Sequence, residues 1–274
     1  MAKMLCGVGL LILIVNHCLA EERSKWVTHE VESQHQQGET AIQVLVPDDL
    51  DRAKTYRVLY ILPVEAGDGK HWGDAPAEVQ KLNLANKHQL ICVYPTFSAL
   101  PWYADHPSDK RLQQETYFLR DVIPFVEQQY PVQTDRDGRL LVGFSKSGWG
   151  AWSLLLRHPK MFAAAAAWDA PLMEADRQKY GMAPIFGTDE NFQNYRVDKL
   201  LRHRADQLQG QPRLVLAGYG NFRGPTQQIH ALLEKLGIPH LYRDGPQRQH
   251  HWQSGWLAEA VELLHETSDQ HACH

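Results

Sequence analysis

From about residue 41 onward the chain alternates short apolar runs with amphipathic stretches. That alternation predicts a mostly parallel sheet covered by helices. Ala41 to Val46 and Tyr56 to Leu62 read as strands, joined by a polar turn that opens with Pro47-Asp48-Asp49. Asp74 is placed to cap a helix from about Pro76 to Lys87, and Leu90 to Tyr94 is the next strand, ended by Pro95. In Gln113 to Gln129 the residues Leu119, Val122, Ile123 and Val126 fall at helical spacing, and Pro124 can kink that helix. Arg139 to Val142 is a further strand, and Ala151 to Arg157 a helix that stops at His158-Pro159. Ala163 to Trp168 is rich in the best helix former, yet so short a run between two turn signals fits a buried central strand. From about Leu172 to Gln211 the chain is polar and irregular, an excursion over the sheet. Arg213 to Ala217 and His240 to Arg243 complete the sheet, with helices at Thr226 to Leu236 and about Gly255 to His265.

Length and charge narrow the possibilities. The 274 residues hold one large α/β domain, and a net charge of -4 argues against a nucleic-acid partner. The 15 histidines are numerous but scattered, so they do not by themselves suggest a metal site. Residues 1–20 read as a secretory signal peptide, with Lys3, the apolar core Leu5 to Val15, and the small-residue site Cys18-Leu19-Ala20 before Glu21-Glu22. Cys18 raises a lipoprotein alternative, to which Val15-Asn16-His17 is a poor approach. The apolar core is short for a bilayer span and no later stretch is long enough, so residues 21–274 are expected to be exported, secreted or periplasmic, with no membrane partner. Cys92 and Cys273 remain after removal of the signal. A buried free thiol is expected at Cys92, and a polar terminus rather than a metal chelate at His271-Ala272-Cys273-His274.

The stretch Gly143-Phe144-Ser145-Lys146-Ser147 lies between a strand and a helix, the context of a nucleophile elbow. A serine at such an apex projects its hydroxyl out of the sheet and crowds the residues two before and two after it. Gly143 and Ser147 are small, although the usual pattern has Gly where Ser147 stands. The backbone N–H of Lys146 then points at a developing oxyanion. A serine needs a base, and in this strand order the base falls after the last strand, where His250-His251-Trp252 stands. Either histidine can serve; His250 is taken first, with His251 in reserve or as a substrate contact. The loop after Arg213 to Ala217 carries Gly218-Tyr219-Gly220-Asn221 and no carboxylate, whereas Asp169 ends the preceding strand. Asp169 is therefore expected as the acid, with a group near Asn221 the alternative. Pro63 has no N–H, so Val64 or Glu65 is the candidate second oxyanion donor; Trp102 and Tyr103 offer aromatic surface for substrate.

These residues carry a resemblance. Tyr56 to Leu62, Trp102-Tyr103-Ala104-Asp105, Glu115-Thr116 with Leu119 to Tyr130, the elbow at Ser145, and His250-His251-Trp252 with Trp256 resemble the esterase D and feruloyl-esterase branch of the α/β-hydrolases. The resemblance implies an α/β-hydrolase fold: a mostly parallel central sheet flanked by helices, with an excursion or small cap after the sixth strand. It implies a cofactor-free serine hydrolase acting on a small-molecule or carbohydrate ester. The chain departs from that family at Ser147, in the missing His-Gly after Leu62, and at Asn221, where the family usually has its acid. A catalytically inactive carbohydrate-binding protein and an acyltransferase are the competing readings. A fluorophosphonate probe separates enzyme from binder, and the acceptor of the acyl group separates hydrolase from transferase.

Overall fold

The computed structural model describes residues 25–269. Eight strands form one sheet: β1 (Val27–Val31), β2 (Thr40–Leu45), β3 (Arg57–Ile61), β4 (Leu90–Pro95), β5 (Arg139–Phe144), β6 (Ala164–Trp168), β7 (Leu214–Tyr219) and β8 (His240–Gln247). Their order is β1-β2-β4-β3-β5-β6-β7-β8; β2 runs antiparallel to both its neighbours, and every pair from β4 to β8 is parallel. The sites of such sheets gather at the C-terminal ends of the strands.

Side chains alternate between the two faces of each strand, and the core divides accordingly. Val58 and Tyr60 enter one apolar cluster, Leu59 and Ile61 the other. The second cluster is closed by α1 (Ala75–Lys81), α2 (Leu84–His88) and, at the end of the chain, the helix Trp256–Asp269. The first is closed by α3 (Gln114–Tyr117), α4 (Ile123–Gln129) and α5 (Ser145–Arg157). It also takes in α6 (Ala183–Phe186), α7 (Asp189–Tyr195), α8 (Val197–Arg204) and α9 (Arg223–Leu236); the C-terminal helix is α10.

β6 is a strand, as its length implies, and all five of its residues are buried. Its alanines let α5 come close: a Cβ built on Gly148 would stand 3.4 Å from that of Ala167.

Three expectations need correction. The helix expected from Pro76 to Lys87 is two, because Asn83 adopts a left-handed φ of 53° between α1 and α2; Asp74 does cap the first, accepting from the Ala77 N–H at 2.9 Å. The helix of Gln113 to Gln129 passes through a π-helical turn, Phe118–Val122, between α3 and α4. Pro124, just beyond it, has no N–H to donate into the preceding turn. The excursion after β6 is not irregular, since α6, α7 and α8 lie in it and bury Phe186, Phe192, Tyr195 and Leu201. β1 was not anticipated. It is an edge strand whose Val27 is 50% exposed, so it carries no apolar run.

The signal-peptide segment and the tail at 271–274 lie outside the described residues. Among the described residues no helix is long and apolar enough to cross a membrane. Cys92 is buried in β4, where desolvation pushes its thiol up to about 12.

Candidate active site

β5 ends at Phe144 and α5 starts at Ser145, whose φ of 53° is left-handed. A non-glycine residue there is uncommon and concentrates at functional sites. The turn tolerates it because its flanks are small. A Cβ on Gly143 would lie 2.5 Å from the Ser147 backbone, so only glycine fits. Ser147, the departure from the usual pattern, reinforces the turn: its Oγ accepts from the Phe144 N–H at 3.1 Å and donates to the Phe144 carbonyl at 2.9 Å. Ser145 keeps 8% of its surface accessible, against none for Phe144, and its side chain makes no hydrogen bond among the described residues.

His250 lies beside this turn. Its ring is 5.0 Å from that of Phe144, and its Nδ1 is 2.5 Å from Asp169 Oδ2. A carboxylate can only accept, so Nδ1 carries the proton and Nε2 is left with its lone pair. Asp169 is held in turn by the backbone N–H groups of Asn221, at 2.8 Å, and Phe222, at 2.6 Å. Burial raises the Asp169 pKa, but the hydrogen bonds from His250 and from the Asn221, Phe222 and Gly220 N–H groups outweigh it and leave the carboxyl below its usual value. The aspartate is thus ionised at neutral pH although its side chain is wholly buried. The approach of the two loops requires Gly220, where a Cβ would stand 2.5 Å from Asp169 Oδ2.

His251 points elsewhere. Its Nδ1 accepts from the Gln253 N–H at 3.2 Å, capping the short turn Trp252–Ser254, and its ring packs on Gly73. Lys146 is the second residue of α5, where the backbone N–H has no acceptor within the helix. Burial lowers the pKa of its ammonium, opposed by Glu65. Val64 lies just after β3 with its side chain buried. Glu65 accepts from the His71 and Trp72 N–H groups at 3.2 and 3.1 Å and so shapes the loop that carries Val64.

Trp102 and Tyr103 are corrected from substrate surface to core, for both are fully buried. Gln114 Oε1 accepts from both their N–H groups, at 2.8 and 3.0 Å, and the Tyr103 hydroxyl donates to the Pro63 carbonyl at 2.6 Å. The Tyr103 ring fills the space over Gly150, where a Cβ would come within 2.0 Å of it. The neighbouring Asp105 is half-buried and turned inward, accepting from the N–H and the hydroxyl of Thr116.

Besides Phe144 and Trp168, two aromatic groups border His250 that were not marked as substrate surface in the sequence. Trp72 lies edge-on at 5.0 Å and Phe222 at 5.9 Å; Tyr180, 48% exposed, meets Phe222 at 5.8 Å. Their convergence is tertiary. Only the position of Phe222, in the loop after β7, was a signal.

The strand order and the serine at the β5–α5 turn define an α/β-hydrolase. The model of the family described as "Putative esterase" matches residues 33–217, more than half of the sequence, and the chain belongs to that family. The match ends before His250. Similar solved structures include a ferulic acid esterase (23% identity, TM-score 0.69, covering 89% of this chain and 98% of that one). Another is substrate-bound FphF, a fluorophosphonate-binding serine hydrolase of Staphylococcus aureus (16%, TM-score 0.70, covering 89% and 99%). Esterase Rv1288 of Mycobacterium tuberculosis (strain ATCC 25618 / H37Rv) is 25% identical over 139 residues, 47% of this chain. That match spans 29% of the relative's length.

Proposed function

We propose that the protein is an exported serine hydrolase that cleaves carboxylic esters with Ser145, His250 and Asp169. The observation that carries the reading is the His250 Nδ1–Asp169 contact of 2.5 Å beside a serine in left-handed conformation. His250 Nε2 takes the Ser145 proton as Oγ bonds to the ester carbonyl carbon, and the carbonyl electron pair moves onto its oxygen. The N–H groups of Lys146 and Val64 hold that oxyanion. Its collapse breaks the bond to the alcohol, which leaves with the proton from Nε2. Water, deprotonated by the same nitrogen, then attacks the acyl-enzyme, and Ser145 recovers its proton as the acid departs. The Ser145–His250 hydrogen bond closes when substrate binds, as catalytic contacts often do.

An ester is favoured over an amide because an alkoxide leaves with less assistance. The acyl group would be aromatic, lying against Trp72, Phe222 and Tyr180, a class that agrees with the similarity to a ferulic acid esterase. The deciding experiment is fluorophosphonate labelling: the native protein is labelled, and Ser145→Ala abolishes labelling and hydrolysis together. A native protein that takes no label is the binder instead. Export rests on the apolar segment Leu5 to Val15 and the small residues before Glu21. It predicts a mature N-terminus at Glu21, and a mature protein that retains Lys3 contradicts it.

A further inference from the structure

The histidines look scattered in sequence, but two of them meet at the turn from α9 into the edge strand β8, three strands across the sheet from β5, which leads into Ser145. His230 Nδ1 and His240 Nε2 are 2.7 Å apart, and Glu234 Oε1 lies 3.8 Å from the same Nε2. These three donor atoms all lie within 4.8 Å of one another. His230 and Glu234 are four residues apart on α9, so they share one helix face. Gly237, at a φ of 64°, ends the helix and turns the chain so that His240 opens β8 against that face.

The arrangement has the marks of a ligand set. His240 Nδ1 is 2.9 Å from the Ile238 carbonyl, which can only accept, so the proton sits on Nδ1 and Nε2 offers its lone pair towards His230. A backbone carbonyl on the far nitrogen is the support that fixes the tautomer of metal-binding histidines. The His230 ring is oriented by stacking on Tyr242 at 3.9 Å. The His240 side chain is 97% buried, against 66% exposure for Glu234, so the set opens to solvent on the carboxylate side.

We propose that His230, Glu234 and His240 bind a divalent transition ion of the zinc class, with water completing the shell. Two imidazoles and one carboxylate are a donor set suited to zinc, and hard-cation sites draw on oxygen alone. The ion fastens the end of α9 to the start of β8, the edge strand of the sheet, and plays no part in ester chemistry. The inference is independent of the proposed activity, and so is its test.

The full-length protein, stripped with chelator, is titrated with Zn2+ by calorimetry and with Co2+ by visible absorption. The expected result is one more bound equivalent of Zn2+ in the native protein than in the His230→Gln/His240→Gln double variant, with a rise in Tm confined to the native protein. The d–d bands of Co2+ should show a tetrahedral nitrogen–oxygen site that the double variant lacks. Glu234→Gln, on an exposed position where folding is not at risk, should weaken binding by at least about tenfold. Equal stoichiometry in native and double-variant protein overturns the proposal, because the ion then sits elsewhere, the terminal His271–His274 stretch included. Absence of binding, with the histidine pair a plain hydrogen bond, overturns it as well.

Discussion

The loops that follow β6 and β7 face each other beside His250 and divide one task between them. The β6 loop supplies the charge, Asp169; the β7 loop supplies the backbone N–H groups of Asn221 and Phe222 that hold it. The related esterases that the sequence resembles usually carry the acid on the second of these loops. Here that loop, Gly218 to Phe222, has no carboxylate. A carboxylate from the neighbouring strand reaches the same imidazole because Gly220 leaves room for it. In the proposed triad the acid therefore stands on the strand before the one that usually carries it.

Three substitutions break or sharpen the division. Asp169→Asn removes the charge and lets the His250 tautomer invert, and kcat should fall by about 10⁴ with KM little changed, read by steady-state kinetics. The same change bears on stability. The Asp169 pKa is lowered on folding, so its contribution is present above the unfolded carboxyl value, about 4, and is lost as pH falls through the lower folded value. The variant should lack that acid-side loss in a Tm-against-pH series. Gly220→Ala keeps every polar group but pushes the loops apart, and should cost roughly 10² in kcat. His251→Ala should leave kcat nearly intact and cost about 1 kcal/mol of stability by urea denaturation, because it removes a cap and not the proposed base.

Much of the fold was legible for one reason. Strands buried on both faces read as unbroken apolar runs, and β3, β4, β5 and β6 are of that kind. β1 escaped because an exposed edge needs no such run, and the helices after β6 escaped because their buried residues are spread among polar ones. The elbow was legible since Gly143, Ser145 and Ser147 act over five positions of chain. Asp169 could be read from its place at a strand end. Trp102 and Tyr103 were misjudged because an aromatic pair in a loop looks the same whether it meets solvent or fills the space over a glycine 47 residues on, Gly150 against Tyr103. Trp72 reaches His250 only through tertiary folding, and its neighbours in sequence give no hint of it; Phe222 was signalled only by its place in the loop after β7.

The most direct measurement is the rate at which a fluorophosphonate labels Ser145 at neutral pH in three proteins: native, Asp169→Asn and Asn221→Ala. The account predicts that labelling slows by orders of magnitude in Asp169→Asn and stays near the native rate in Asn221→Ala, whose backbone N–H is unchanged. Labelling as fast in Asp169→Asn as in the native protein, or slowed only by Asn221→Ala, would contradict it.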